Sequence, residues 1–183
     1  MSVKEEGQVL EGTAKRVFSK SLGSPEALSA DGCHAALALT TEVQTITTDI
    51  TNPDVPRNVT VVATEAQADD VVVTGTDENG VAVEETLTLD GATPVLGLKA
   101  FATVTQIVYP IKDDGASVSV GYGDVLGLGL LLSRDSIVHA YFNGVLETTR
   151  PAVVFSSTVV ASNTALLNSA MDGSAVIIDY YES

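Results

Sequence analysis

The chain has 183 residues, 45% of them apolar and 5% aromatic with no Trp, so any core must be built from Val, Leu, Ile and Ala. A domain of this size buries about 70% of its unfolded surface and needs neither disulfides nor metals to hold a fold. The formal charge is −15, with five basic against twenty-one acidic residues over positions 21–183, and a body of that sign repels phosphate, which disfavours DNA, RNA or an anionic membrane as partner.

Residues 1–38 read as an N-terminal arm, distinct from a β-rich body over 39–183. The stretch mixes Lys and Glu, is punctuated by Gly7, Gly12, Gly23 and Asp31-Gly32, and holds no apolar period. One turn of helix is expected over 25–28, with Ser24 as cap and Pro25 at the first helical position. The partner-binding candidates lie in this arm. Val9, Leu10, Val17 and Phe18 are apolar anchors to be covered on assembly, and Lys15, Arg16 and Lys20 are cations for an acidic rim. Met1 leads into Ser-Val-Lys-Glu-Glu, so no secretion signal is expected. The apolar stretch 125–132 is broken by Gly127 and Gly129 and falls far short of the roughly 20 residues of a membrane span.

From residue 40 onward β-branched runs alternate with turn residues. A Thr-rich strand is expected over 41–50, ended by Asn52-Pro53-Asp54-Val55-Pro56, since proline has no N–H to give a central ladder. Strands over 58–63, 69–76 and 81–89 follow, the last two joined through Asn79-Gly80, a strong hairpin signal. Residues 99–109 read as one long strand ended by Pro110, and Asp113-Asp114-Gly115 turns the chain into 116–122, where Val118 and Val120 alternate with Ser117 and Ser119. A second Asn-Gly pair, Asn143-Gly144, joins 137–142 to 145–149 through a type I′ turn. An edge strand is expected over 151–155, a short helix over 163–171 with Leu166, Leu167 and Ala170 on one face, and a last strand over 175–181. The sum is an all-β, antiparallel sandwich or barrel-like domain with at most one short helix.

Catalytic signatures are thin. Cys33 and His34 are adjacent, so in extended chain their side chains diverge and do not form a nucleophile pair. His139 sits within a strand as an ordinary strand histidine, and with one cysteine and two histidines the spacing supports no metal set. The run from Gly121 to Gly129 lacks the third glycine of a dinucleotide fingerprint and the lysine of a P-loop, and is read as glycine-permitted close packing between strands. The pairs Asp69-Asp70, Glu84-Glu85 and Asp113-Asp114 match no calcium loop and read as solvated charge. Asn58-Val59-Thr60 has the form of a glycosylation acceptor without the context for one. No catalytic activity, cofactor or metal is expected.

The run Thr48-Asp49-Ile50-Thr51-Asn52-Pro53-Asp54-Val55-Pro56-Arg57-Asn58-Val59-Thr60-Val61 is followed by Val71-Val72-Val73-Thr74-Gly75-Thr76-Asp77-Glu78-Asn79-Gly80 and Glu84-Glu85-Thr86-Leu87. With Lys99-Ala100-Phe101, Val104, Gly123-Asp124-Val125-Leu126-Gly127-Leu128 and Leu167-Asn168-Ser169-Ala170-Met171-Asp172-Gly173-Ser174, it resembles a family of small β-rich proteins encoded among the virion structural genes of tailed bacteriophages. The likeness spans about 40–181. It implies a protein that decorates or cements the outside of a capsid, with the major capsid protein and copies of itself, a trimer, as partners. A tail, neck or host-adsorption module and a cellular surface β-domain are the alternatives.

Overall fold

Val and Thr fill the runs between turns, and their branched Cβ atoms suit a pleated sheet better than a helix. The computed structural model describes residues 16–111 and 116–181. Over these the chain forms β1 (Val17–Gly23), β2 (Ser29–Ala38), β3 (Gln44–Ile46), β4 (Arg57–Ala63), β5 (Asp70–Thr76), β6 (Ala82–Thr88) and β7 (Val95–Phe101). It continues with β8 (Thr103–Tyr109), β9 (Ser117–Gly127), β10 (Ile137–Phe142), β11 (Val145–Leu146), β12 (Ala152–Val154), a 3₁₀ turn at Val160–Ser162, β13 (Thr164–Leu166) and β14 (Val176–Tyr181). The all-β architecture expected from the sequence is the one adopted, and its antiparallel sheets include a curled half-barrel.

Three sheets result, in the orders β1-β14-β10-β11, β12-β13-β9-β4-β7 with β2 also on β9, and β3-β8-β5-β6. The second and third sheets enclose one core, in which Val59, Val61, Val118 and Val120 meet Val71, Val73, Phe101, Ile107 and Tyr109. The first sheet closes a second core over the far end of β9, with Leu126, Leu128, Ala165, Met171, Val176 and Ile178. A fully buried Val or Leu contributes about 1.5–3 kcal/mol, so the long strand β9, which feeds both cores, ties them energetically. Edges are closed by side chains as well as ladders: the Glu85 carboxylate on β6 accepts the backbone N–H of Leu98 at 2.7 Å and of Lys99 at 3.3 Å on β7. Gly97 admits that carboxylate, because a Cβ there would stand 2.6 Å from Glu85 Oε2. Glu85 is therefore a structural acid and not idle solvated charge.

Both Asn-Gly turns form as expected. Asn143 and Gly144 carry φ of 51° and 74°, the two left-handed residues of a type I′ turn. Between β5 and β6, Asp77 Oδ1 accepts the N–H groups of Asn79 and Val81, and Gly80 takes the left-handed position.

Four expectations are corrected. The strand read over 99–109 is two strands: β7 pairs with β4, and after Ala102 the chain crosses to the opposite sheet, where β8 pairs with β5. Ala102 N–H bonds Thr76 O at 2.8 Å at the crossing, and Gly75 is required there, since a Cβ would lie 1.9 Å from Thr103 O. The helix read over 163–171 is strand β13 followed by loop. The Asn163 side chain accepts from Ser156 N–H and donates to Ser156 O and Val159 O, fixing the preceding loop so that 164–166 enters extended between β12 and β9. The helical turn read over 25–28 is extended chain, because Glu26 gives its N–H to Asp54 and its carbonyl to Arg57. The arm read over 1–38 holds for none of its described strands: β1 pairs with β14, β2 with β9, and Leu22 and Cys33 lie in the cores. These pairings join segments far apart in sequence, which local composition does not encode.

The glycines of β9 are close-approach positions, as read. A Cβ at Gly121 would stand 1.8 Å from Ser29 O of β2. Gly121→Ala is expected to cost about 3 kcal/mol or more in urea unfolding, at the upper end for overpacking, by forcing β2 off β9. Gly80→Ala meets nothing within 4 Å and loses only the left-handed preference, about 1–2 kcal/mol. Equal losses at the two positions would refute the close-approach account.

Candidate functional site

Arg57 opens β4, and the period of two puts it on the face of Val59 and Val61, toward the interior. It is fully buried. Its Nε donates to Gly123 O at 2.6 Å, Nη1 to Glu26 O at 3.0 Å and Asp54 Oδ1 at 2.9 Å, and Nη2 to Asp124 Oδ1 at 3.4 Å. The guanidinium carbon lies 4.6 Å from the centre of the Tyr122 ring, a cation–π contact. That ring slots against Gly32, where a Cβ would sit 2.3 Å from it. The register of β4 shifts against both neighbours here, between Arg57 and Val59 toward β9 and between Asn58 and Thr60 toward β7. Asn58 fills the gap by donating to Gly97 O and accepting from Val125 N–H. Fully buried and engaged on both sides, it is no glycosylation site.

Cys33 and Tyr109 are sequestered. Cys33 lies in the first core, where burial pushes its thiol up to about 12, opposed by the Arg57 charge and reinforced by Asp54. Tyr109 is fully buried, its phenol pushed up by burial and by Cys33, and its hydroxyl is 2.9 Å from His34 Nδ1. His34 is thus held by Tyr109. His139 stands on the outer face of the first sheet, 3.8 Å from Asp179 Oδ2. No group of three His, Cys, Asp or Glu side chains able to hold a metal occurs among the described residues, nor is any helix there long and apolar enough to cross a membrane.

The candidate contact residues fall into two sets. Val9, Leu10 and Lys15 lie outside the described residues. Arg16 is exposed just before β1, Val17 is half exposed, and Phe18 packs on Tyr180 with ring centres 5.8 Å apart. Lys20 is engaged within the chain, its Nζ 2.8 Å from Glu78 Oε1.

A surface that sequence reading missed lies on the outer face of the β9-β4-β7 sheet. Leu28, Ala30, Pro94, Leu96, Val125 and Leu166 line a cleft of about 280 Å³, with Thr60, Gly123 and Asp124 as its polar floor. Leu28 is 62% exposed, Leu96 58% and the neighbouring Leu98 72%. Leu96 and Leu98 alternate with Gly97, and that period was the available signal. The floor is set by Arg57, which bonds both Gly123 and Asp124. Two further depressions, one beside the Asn143-Gly144 turn and one between residues 66–69 and 90–91, are larger but more open and more polar.

No protein-family model, curated protein or solved structure matches this chain.

Arg57→Met should destabilise the fold by about 3 kcal/mol, because it strands the carboxylates of Asp54 and Asp124 and two carbonyls; urea unfolding measures this, and a change within about 0.5 kcal/mol would refute the role given to Arg57. Burial raises the Asp54 carboxyl, but the Glu26 N–H, the Arg57 guanidinium and the Val55 N–H outweigh it and hold it below the usual range. A depressed folded value means stability that is present above the unfolded value of about 3.9 and lost as pH falls below it. Asp54→Asn should accordingly flatten the acid limb of a melting-temperature profile below about pH 4. Cys33 should resist a thiol reagent at pH 8 in the native protein and react on unfolding in urea; rapid native labelling would show that its site opens.

Proposed function

We propose that this protein is a non-enzymatic virion structural protein that decorates or cements the outer surface of a tailed-phage capsid as a symmetric oligomer. The observation that carries the reading is an open aliphatic face on an acidic body whose cysteine and core tyrosine are locked away from solvent. Monomers rarely leave such a patch uncovered without an interaction to make, whereas chemistry needs reactive groups within reach of a substrate. The acidic charge suits the exterior of a head, because like charge opposes packed DNA at each contact. The resemblance of residues 40–181 to virion structural proteins supplies the class of partner, the major capsid protein.

An antiparallel sandwich closed by two cores is a rigid carrier, so its binding surface is presented preformed and association costs little reordering. Incubated with empty capsids assembled from the major capsid protein encoded beside it, the full chain should co-sediment saturably and at a fixed ratio to capsid subunits. It should leave the mobility of duplex DNA unchanged even at low salt, where electrostatic binding is strongest. Absence from capsid fractions at saturating protein, or labelling confined to tails, would overturn the reading.

A further inference from the structure

We propose that the aliphatic cleft on the outer face of the β9-β4-β7 sheet receives Val9-Leu10 from a second copy of this chain, so that each copy gives one segment and takes one. The inference rests on the oligomeric part of the reading above and names its contact. The cleft, about 280 Å³, lies at or below the roughly 300–1,000 Å³ of small-molecule sites and has the scale of a few aliphatic side chains. Its walls are Leu, Pro and Val with no aromatic ring, which suits neither a sugar nor a nucleobase. Residues 1–15 contain one pair of adjacent branched aliphatic residues, Val9-Leu10.

Chain geometry favours the cleft of another copy. Gly23, at the end of β1, lies against Val55, where a Cβ would stand 2.6 Å from Val55 Cγ1. Val55 neighbours Asp54, which bonds Arg57, and Arg57 bonds Gly123 and Asp124 in the cleft floor. The C-terminal end of β1 is thus beside the cleft, and Val17 lies six residues up the strand, roughly 20 Å away. Leu10 precedes Val17 by seven residues, which span at most about 25 Å. To reach its own cleft the segment must double straight back along β1 at nearly full extension. A neighbouring copy sets no such demand, and copies that each give and take one segment form a closed assembly when the exchange is reciprocal or the rotation between copies closes. Self-repulsion between copies, each with a charge of −15, also makes a flat face-to-face contact poor, whereas an inserted aliphatic pair needs little facing area.

Full-length wild type, Leu10→Asp and Leu96→Asp would be compared by sedimentation velocity, with circular dichroism as the check on folding. Wild type should form a closed oligomer, and each variant should weaken association by about ten-fold or more while remaining folded. An equimolar mixture of the two variants should recover dimers, since one supplies an intact cleft and the other an intact segment. Wild-type assembly by Leu10→Asp, a mixture that stays monomeric, or a wild type monomeric at all concentrations would each overturn the proposal. If Leu96→Asp unfolds, Leu96→Ser and competition by a synthetic peptide of residues 1–15 take its place, and a peptide without effect on the oligomer counts against it. Capsid co-sedimentation separates the two ideas. Leu10→Asp that assembles and binds capsids as wild type does sinks segment exchange alone, while a wild type that exchanges segments yet ignores capsids sinks the decoration reading alone.

Discussion

A guanidinium with no solvent exposure sits where β4, β9 and the segment before β2 converge, and the rest of the fold is arranged to keep it there. Burying a cation is costly unless its donors are matched, and Arg57 reaches two carboxylates, two carbonyls and an aromatic face. The partners come from three separate stretches of chain: Glu26, Asp54, and Tyr122, Gly123 and Asp124 of β9. Satisfying one side chain therefore fixes the entry to β2, the approach to β4 and the middle of β9 together. Lysine, with one compact charge, has no fork to bridge these positions.

The double register shift around Arg57 and Asn58 follows from the same constraint. A strand that turns an arginine inward gives up regular ladder bonds beside it, and the Asn58 amide restores them on both sides. Glycines then let neighbouring groups approach: Gly32 for the Tyr122 ring, Gly121 for β2, Gly123 for Asn58. The second core can build on the far half of β9 because this junction holds the near half in register with β4.

The association proposed above uses the outer side of that junction. Gly123 and Asp124 bond Arg57 and also line the aliphatic cleft, so the buried guanidinium is coupled directly to that opening. On the proposed reading, an apolar cleft on an acidic body favours specific association: charge discourages indiscriminate contact, and the cleft rewards one complementary segment. Cys33 and Tyr109 both lie in the first core.

The sequence by itself determined the class of the fold, its two Asn-Gly hairpins, the alternation of Val118 and Val120 and the close-packing role of the β9 glycines, because period and turn chemistry are local. It also carried the inward parity of Arg57 with Val59 and Val61 and the outward parity of Leu96 and Leu98, though a lone cation or leucine in such a run has no mark of its own. Only the tertiary structure decided that β1 and β2 belong to the body, that the run through Ala102 changes sheets and that residues 164–166 are strand. Each of these depends on a partner distant in sequence, β14 for β1, β9 for β2, Thr76 for Ala102 and β9 for β13, and hydrogen bonds across such distances leave no periodic trace in the segment that makes them.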